Sequence, residues 1–344
     1  MRPAEVPPVS SAPTDAARPR PSWIRTGLAA LVGAVLLAVL LWHTGLDPIV
    51  DRLGELGARG PLVLLPYCLV AYVDARGWRC TLPPVPQIPL RHVYFIRMAG
   101  EGVNSLTPAA AVGGEGVKVY LLRAWGVSGS DGLASVMISK TALTTAQSFF
   151  VILGLAALFD RLELRALGAV WLVVLLLALA GFTLGLMHLQ SRAPAQTAWG
   201  WLHRLMPRAR FVAWLRHRAA AVDERLAGFY HREGPTFWRA SAWHLAGWLI
   251  GVLEVYLIMV LIETPIPLRD ALIIEALAQP IRATALLIPG GLGTQEVGGV
   301  ALCTFLGIPE PAGVTLWLLK RARELVFDGV GLLYLARHTA RGSR

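Results

Sequence analysis

The sequence predicts an all-α integral membrane protein, a polytopic bundle of about seven or eight transmembrane segments with two re-entrant hairpins. Of its 344 residues, 55% are hydrophobic and only 16% are charged, whereas about a quarter of the residues in a soluble domain are charged. Apolar runs recur along the chain at the length of about 20 residues that crosses a bilayer. The 12 Trp residues favour membrane–water interfaces.

The chain begins with a polar segment followed by an apolar one. Residues 1–22 are rich in Pro, Ala and Ser, so we expect a disordered cytoplasmic tail there. The apolar run at 23–42 follows a basic stretch, as the core of a signal peptide does. Its length and the lack of a small-residue cleavage site predict an uncleaved first span.

Further apolar runs predict the remaining spans, which together with the first form one transmembrane domain over 23–338, followed by a tail at 339–344. These spans cover 60–78, 133–159, 167–189, 238–262, 271–288 and 314–336. Two other stretches, 93–122 and 289–306, are only moderately apolar and rich in Gly.

Arginine distribution predicts the orientation, because cytoplasmic loops carry an excess of Lys and Arg. Both termini are basic, and the linker 190–239 has nine arginines against three acidic residues. Both termini and this linker are therefore expected in the cytoplasm. This orientation requires 93–122 and 271–306 to make no net crossing, so each is a candidate re-entrant hairpin. The predicted hairpin breaks are Pro108, Gly113 and Gly114, and Pro289, Gly290, Gly291 and Gly293.

The basic linker also contains an amphipathic helix. At helical spacing, one face carries Phe211, Leu215, Val222, Leu226 and Phe229, and Arg216, Arg218 and Arg225 lie off that face. Such a helix either lies at the inner membrane interface against anionic headgroups or packs on neighbouring helices. Both interpretations remain open from the sequence.

The two irregular stretches resemble each other at an offset of 181 residues. Glu115 corresponds to Glu296, and Lys140 corresponds to Arg321. Under the predicted orientation, repeat one (about 93–159) enters from the cytoplasm and repeat two (about 271–336) enters from outside. Inverted repeats of this kind place the substrate of a transporter at their interface.

Ionisable residues inside spans are costly and usually functional. The last span places Arg321, Glu324 and Asp328 on one helical face, with Lys320 at its edge and Arg323 off it. The candidate substrate-binding or translocation residues are Glu115, Lys140, Glu254, Glu275, Arg282, Gln295, Glu296, Arg321, Arg323, Glu324 and Asp328. The cations could bind a phosphate-bearing headgroup, and the carboxylates could pair with them or carry a proton. For His244, the sequence favours a structural hydrogen bond over catalysis or metal binding.

Several function classes find no support in the sequence. No P-loop, dinucleotide fingerprint, HExxH motif, Cys/His ligand set or GxSxG elbow occurs, so we expect no cofactor, no metal and no catalytic residue. We expect no nucleic acid partner either, because the net charge of +10 lies in loops where it indicates topology and attraction to anionic lipid. An enzyme with this sequence would have to act within the membrane.

Two motifs carry a family resemblance. PGGLGTQEVGG at 289–299 and LKRARELVFDGVGLL at 319–333 resemble the C-terminal signature of the lysylphosphatidylglycerol synthase transmembrane region, a flippase-like membrane domain. NSLTPAAAVGGEGVKVYLLRAWGV at 104–127 is similar to the first hairpin motif of that family. HLAGWLIGVLEVYLIM at 244–259 and IIEALAQPIRATALLIPGGLGTQE at 273–296 resemble the hopanoid-biosynthesis-associated branch.

The resemblance implies a bacterial inner-membrane bundle of about eight segments that handles lipid. Glu115, Gln295, Glu296, Arg321, Arg323 and Glu324 match motif positions. Thr294 departs from the usual Val or Arg, which puts a headgroup contact there in doubt. The resemblance covers only the membrane domain of the family, so it does not imply aminoacyl transfer.

The leading hypothesis is a lipid flippase or transporter for an anionic or hopanoid-type lipid, with membrane lipids as partners. One alternative is a non-catalytic accessory protein that holds hopanoid-biosynthesis enzymes at the membrane. The other is an intramembrane lipid-modifying transferase that uses Glu115 or Glu296 as a base. The sequence leaves the oligomeric state open.

Overall fold

A computed structural model of the protein describes residues 54, 56–84, 87–106, 113–205, 210–284 and 293–342, without the side chains of 165, 202, 205 and 210–218. Over these residues the chain forms helices and contains no strand, which confirms the all-α prediction. The predicted tail at 1–22, the first span at 23–42, and Pro108, Pro289, Gly290 and Gly291 lie outside the described residues.

A short 3-10 helix at Gly57–Val63 leads into the first of the described α-helices. In chain order these are α1 (Leu64–Arg79), α2 (Leu90–Leu106), α3 (Gly113–Arg123), α4 (Gly129–Arg161), α5 (Arg165–Ser191), α6 (Pro194–Leu205), α7 (Arg210–Arg232), α8 (Gly234–Leu261), α9 (Leu268–Thr284), α10 (Thr294–Phe305) and α11 (Glu310–Gly342).

Three of the described helices are long and apolar enough to cross a membrane. They are α4, α5 from Ala166, and α8. The first two contain the predicted spans at 133–159 and 167–189, and α8 covers the span predicted at 238–262 except for its last residue. In the most apolar 18-residue segment of α5 only 6% of the residues are buried, whereas in that of α8 50% are buried. This difference suits a peripheral helix that faces lipid and a central helix that faces protein. The total number of spans and the re-entrant course of the hairpins stay predictions.

Two tight turns that join consecutive helices have the same backbone geometry 181 residues apart. Gly126 follows α3 with φ of 81°, and Gly307 follows α10 with φ of 79°. The Gly126 N–H donates to Arg123 O at 3.0 Å, and the Gly307 N–H donates to Thr304 O at 2.9 Å. The starts of α3 and α10, at 113 and 294, and of α4 and α11, at 129 and 310, have the same offset. Glycine suits both turns because it adopts positive φ without steric cost.

The first trio of helices consists of α2, α3 and α4, and the second trio consists of α9, α10 and α11. Within each trio, consecutive helices run in opposite directions. In the first trio, Asn104 near the end of α2 accepts a hydrogen bond at 2.9 Å from the Gly114 N–H at the start of α3. In the second trio, Ile281 near the end of α9 lies against Gly298 near the start of α10. Each trio therefore begins with an antiparallel helix pair.

The two trios pack on each other in opposite directions. Gly331 of α11 lies against the Met98 carbonyl of α2, and Gly102 of α2 lies against the Asp328 carbonyl of α11. Gly154 of α4 faces Ala276 of α9 in the same way. The long helix of each trio is thus antiparallel to the first helix of the other trio, with glycine at each close approach.

Helix α7 packs on protein along the described part of its apolar face. Leu226 and Phe229 are fully buried and Val222 nearly so, in a cluster with Ile138 of α4 and Phe237 of α8. This packing favours the second of the two interpretations of the amphipathic linker. Burial of a side chain such as Leu or Phe contributes roughly 1.5–3 kcal/mol, which fixes α7 against the bundle.

Candidate functional site

A polar cavity of about 330 Å³ lies where α1, α2, α4, α8 and the second trio meet. All the predicted site residues except Glu115 and Glu296 line it. Its ionisable lining residues are Asp74, Arg97, Glu101, Lys140, His244, Glu254, Glu275, Arg282, Arg321, Arg323, Glu324 and Asp328, beside the neutral Tyr67, Asn104 and Gln295. Charged groups are rare in apolar bundles because of their desolvation cost, so this concentration marks the cavity as a candidate site.

The most deeply buried charges surround Glu254 of α8. Arg323 donates to the two oxygens of this carboxylate, from Nε at 2.8 Å and from Nη2 at 3.2 Å. Lys320 Nζ lies 2.6 Å from Glu275 Oε2 and 3.6 Å from Glu254 Oε2. The Tyr67 ring centroid lies 3.9 Å from the Arg323 Cζ, within cation–π range. Buried charges persist only when paired, so these residues hold α8, α9 and α11 together.

A second cluster joins α9, α10 and α11. Arg321 Nε donates to Glu296 Oε1 at 2.8 Å, and Arg321 Nη1 donates to Glu324 Oε2 at 2.9 Å. Arg282 Nη2 donates to Glu324 Oε1 at 3.3 Å. Two buried atoms, Glu296 Oε2 and Arg282 Nε, have no hydrogen-bond partner in the described part of the chain. Unsatisfied buried polar atoms are costly and point to water or a ligand.

The corresponding cluster in the first trio is looser. Lys118 Nζ lies 2.9 Å from Glu101 and 3.1 Å from Glu115, but Lys140 Nζ lies 3.7 Å from Glu115. The Lys140 side chain is 50% exposed, whereas its counterpart Arg321 is 14% exposed. The pairs Glu115–Lys140 and Glu296–Arg321 occupy equivalent positions at the 181-residue offset. The Glu115–Lys140 pair is long and partly exposed, whereas the Glu296–Arg321 pair is short and more deeply buried.

A third group lies on the α1 and α8 side of the cavity. Asp74 pairs with Arg97 through Oδ2 and contacts His244 Nδ1 through Oδ1 at 2.8 Å. His244 Nε2 lies 3.3 Å from Ser139 Oγ. The hydrogen bond predicted for His244 is therefore present, and both of its ring nitrogens have a partner.

The glycines predicted as hairpin breaks fall at helix starts where they are described. A Cβ at Gly114 would lie 2.0 Å from the Gly100 carbonyl, so only glycine fits there. Gly113 begins α3, and Gly293 precedes α10 with φ of 74°. These positions allow α2 and α3 to approach closely and α10 to begin sharply.

Two residues of α11 are deeply buried although they lie beside or off the face of Arg321, and other charged residues of the site were not predicted. Lys320 and Arg323, predicted at the edge of the polar face and off it, are 2% and 4% exposed and make the most buried ion pairs. Carboxylates approach α11 from α8 and α9 as well as from α10, so its polar arc is wider than the face of Arg321 predicts. The missed charged residues are Asp74, Arg97, Glu101, Lys118 and Lys320. Of these, Lys118, one turn after Glu115, and Lys320, at the edge of the Arg321 face, carried a local signal.

Comparison with known proteins identifies the family. Residues 26–330 match the family model described as "Lysylphosphatidylglycerol synthase TM region". The chain belongs to this family. Every charged residue of the three clusters falls within the matched range of the lysylphosphatidylglycerol synthase transmembrane region.

Two archaeal relatives extend over most of the chain, and both are named UPF0104 membrane proteins. The relative from Pyrococcus horikoshii is 25% identical over 314 residues, which cover 86% of this chain and 91% of the relative. The relative from Methanothermobacter thermautotrophicus is 24% identical over 308 residues, which cover 85% of this chain and 88% of the relative. This similarity supports a membrane protein of the lysylphosphatidylglycerol synthase transmembrane-region family.

Proposed function

We propose that the protein is a lipid flippase or transporter that moves an anionic or hopanoid-type lipid with its headgroup in the polar cavity. The observation that carries this proposal is the charged cavity of about 330 Å³ inside a bundle of apolar helices. A headgroup in such a cavity would exchange its water for fixed charges, while the acyl or ring part stays in the bilayer. The cost of crossing the hydrocarbon core falls as a result.

The opposite directions of the two trios support transport. We interpret 93–159 and 271–336 as inverted repeats, which in transporters surround the substrate site and permit alternating access. The tight Glu296–Arg321 pair and the loose Glu115–Lys140 pair then correspond to a closed and an open side of one molecule. The proposal places both termini in the cytoplasm of a bacterial inner membrane.

Two of the five Lys and Arg cations in the cavity lining suit an anionic headgroup, although six carboxylates line the cavity with them. Lys140 is half exposed, and Arg282 has a buried Nε without a hydrogen-bond partner in the described part of the chain. A phosphate bound between them would accept charge-assisted hydrogen bonds from both. Glu324, which already accepts from Arg282 and Arg321, would compete with the phosphate and release it.

Purified protein in liposomes tests this proposal. Lipids labelled with a fluorophore are quenched from outside, and the protected fraction reports how fast they cross the bilayer. We expect wild-type protein to accelerate the crossing, and the Arg321→Ala, Glu296→Ala double variant to lose the acceleration. The matched control removes the Arg269–Asp160 pair, whose side chains are 45% and 46% exposed and lie outside the cavity lining. Absence of crossing for every anionic and hopanoid lipid tested, or an unaffected cavity variant, would refute transport.

Lipid analysis of a deletion strain, resolved by leaflet, separates the remaining candidates. A lipid that accumulates in the wrong leaflet supports transport. A lipid that is absent altogether supports the intramembrane transferase. Unchanged leaflets, together with capture of hopanoid-biosynthesis enzymes by the tagged protein, support the accessory role.

A further inference from the structure

Three buried polar side chains form a continuous chain of hydrogen bonds across three helices. Asp74 of α1 contacts His244 of α8 at 2.8 Å, and His244 contacts Ser139 of α4 at 3.3 Å. Their exposed fractions are 5%, 3% and 8%. The transport proposal above assigns no role to Ser139 or His244.

The order of the contacts is that of an orienting acid, a base and a nucleophile. The carboxylate of Asp74 only accepts, so His244 donates to it from Nδ1, and in the neutral tautomer with this proton Nε2 carries a lone pair. Nε2 then accepts the hydrogen bond of the Ser139 hydroxyl. Arg97 holds the other oxygen of Asp74, which fixes the carboxylate in place. This constellation is recognised by geometry on unrelated folds.

Glycine residues on α1 and α8 make room for the side chains of Asp74 and His244. A Cβ at Gly77 would lie 3.0 Å from Cε1 and Nε2 of the His244 ring. A Cβ at Gly247 would lie 3.1 Å from Asp74 Oδ1. Both contacts are tighter than ordinary packing, so the helices approach closely where the acid meets the base.

The nucleophile and the base face a small chamber that shares Arg97, Glu101 and Lys140 with the main cavity. Ser139 and His244 line this chamber of about 40 Å³, and His244 also lines the main cavity. Three cations, Arg97, Lys118 and Lys140, line the same chamber together with the carboxylates of Glu101 and Glu115. The positive charges of the three cations would stabilise an oxyanion that forms beside Ser139.

We propose that Ser139, His244 and Asp74 form a nucleophilic centre that acts on a carboxylic ester held in the cavity. The Ser139 oxygen forms a bond with the ester carbonyl carbon while its proton moves to His244 Nε2. The carbon–oxygen bond to the alcohol part then breaks, and the proton on Nε2 passes to the departing alkoxide. Water, or the hydroxyl of a second lipid, attacks the acyl-serine, gives its proton to Nε2, and restores the Ser139 hydroxyl when that proton returns. The activity is an ester hydrolysis or acyl transfer, distinct from transport.

Fluorophosphonate labelling of the whole protein in micelles tests the centre directly. The probes are diisopropyl fluorophosphate, which is small, and a hexadecyl fluorophosphonate, which resembles a lipid. Mass spectrometry of the peptides should find one adduct, on Ser139. The adduct should disappear in Ser139→Ala and persist in Ser148→Ala, whose hydroxyl lies on the same helix and donates to Thr144 O.

The base has its own test. His244→Ala should slow labelling of Ser139 by roughly 10²–10⁴-fold, the usual contribution of general base catalysis. Added imidazole should restore part of the rate in His244→Ala and none in Ser139→Ala, which a purely structural histidine would not allow. No adduct at Ser139 of folded wild-type protein with either probe, adducts only on other serines, or an unchanged labelling rate in His244→Ala would each overturn the proposal.

Discussion

Substitution of Glu254 by Gln tests whether the buried ion pairs hold the bundle together. Glu254 is 2% exposed and faces two cations of α11, Arg323 at 2.8 Å and Lys320 at 3.6 Å. Glutamine has nearly the same volume, so the substitution removes the charge and keeps the packing. Its amide nitrogen would also point a donor at groups that only donate.

The size of the expected loss in unfolding free energy follows from the two cations that Glu254→Gln leaves in place. Lys320 keeps Glu275 at 2.6 Å, so its charge remains compensated. Arg323, which is 4% exposed, loses its bidentate partner and keeps the face of Tyr67. Breaking a buried ion pair by removing one member costs about 3–5 kcal/mol. We expect Glu254→Gln to lower the free energy of unfolding by that amount.

Equilibrium unfolding in mixed micelles, followed by Trp fluorescence, measures this loss. The control is Asp160→Asn, which removes the exposed Arg269–Asp160 pair at 3.5 Å and should cost no more than about 1 kcal/mol. A double variant that adds Arg323→Met should recover part of the stability, because it removes the unpaired charge. Equal losses in Glu254→Gln and Asp160→Asn would refute the reasoning.

Four further substitutions, one of them a control, test the packing and the turns through the same unfolding measurement. Gly331→Ala should cost about 1–3 kcal/mol by overpacking, since its Cβ would lie 2.2 Å from Met98 O, whereas Gly329→Ala meets nothing within 4 Å and should be neutral or stabilising. A stable Gly331→Ala would contradict the close approach of α2 and α11. Gly126→Ala and Gly307→Ala should each cost about 1–2 kcal/mol because both turns have positive φ. Clearly unequal losses at these two positions would contradict their equivalence.

The helices could be predicted where composition alone decides them. An unbroken run of about 20 apolar residues has few alternatives to a helix in a bilayer, and α4, α5 and α8 match three predicted spans to within one residue at their ends or enclose them. The 181-residue offset predicted that Glu115 corresponds to Glu296, and the structure places both in the first turn of a helix, α3 and α10. Such features can be predicted from the sequence because they depend only on residues that are close together in the chain.

The partners within the site could not be predicted, because they come from distant parts of the chain. Nothing near Arg323 in sequence indicates that Glu254 lies opposite it. Asp74, Ser139 and His244 meet only because α1, α4 and α8 pack side by side around glycine. A helical wheel ranks residues of one helix, whereas neighbours on several sides decide which of them are buried.

A removable plug in the cavity tests most directly whether lipid passes through it. In a protein with Cys68 and Cys80 replaced by Ser, Ser105→Cys places a thiol in the cavity lining, and Ser191→Cys places one outside it. A bulky reagent that forms a disulfide with the thiol at 105 should reduce lipid crossing in proteoliposomes to the rate of protein-free vesicles. Reduction of that disulfide should restore the crossing. The same reagent at 191 should change nothing. Crossing that continues while residue 105 is fully modified would contradict passage through the cavity.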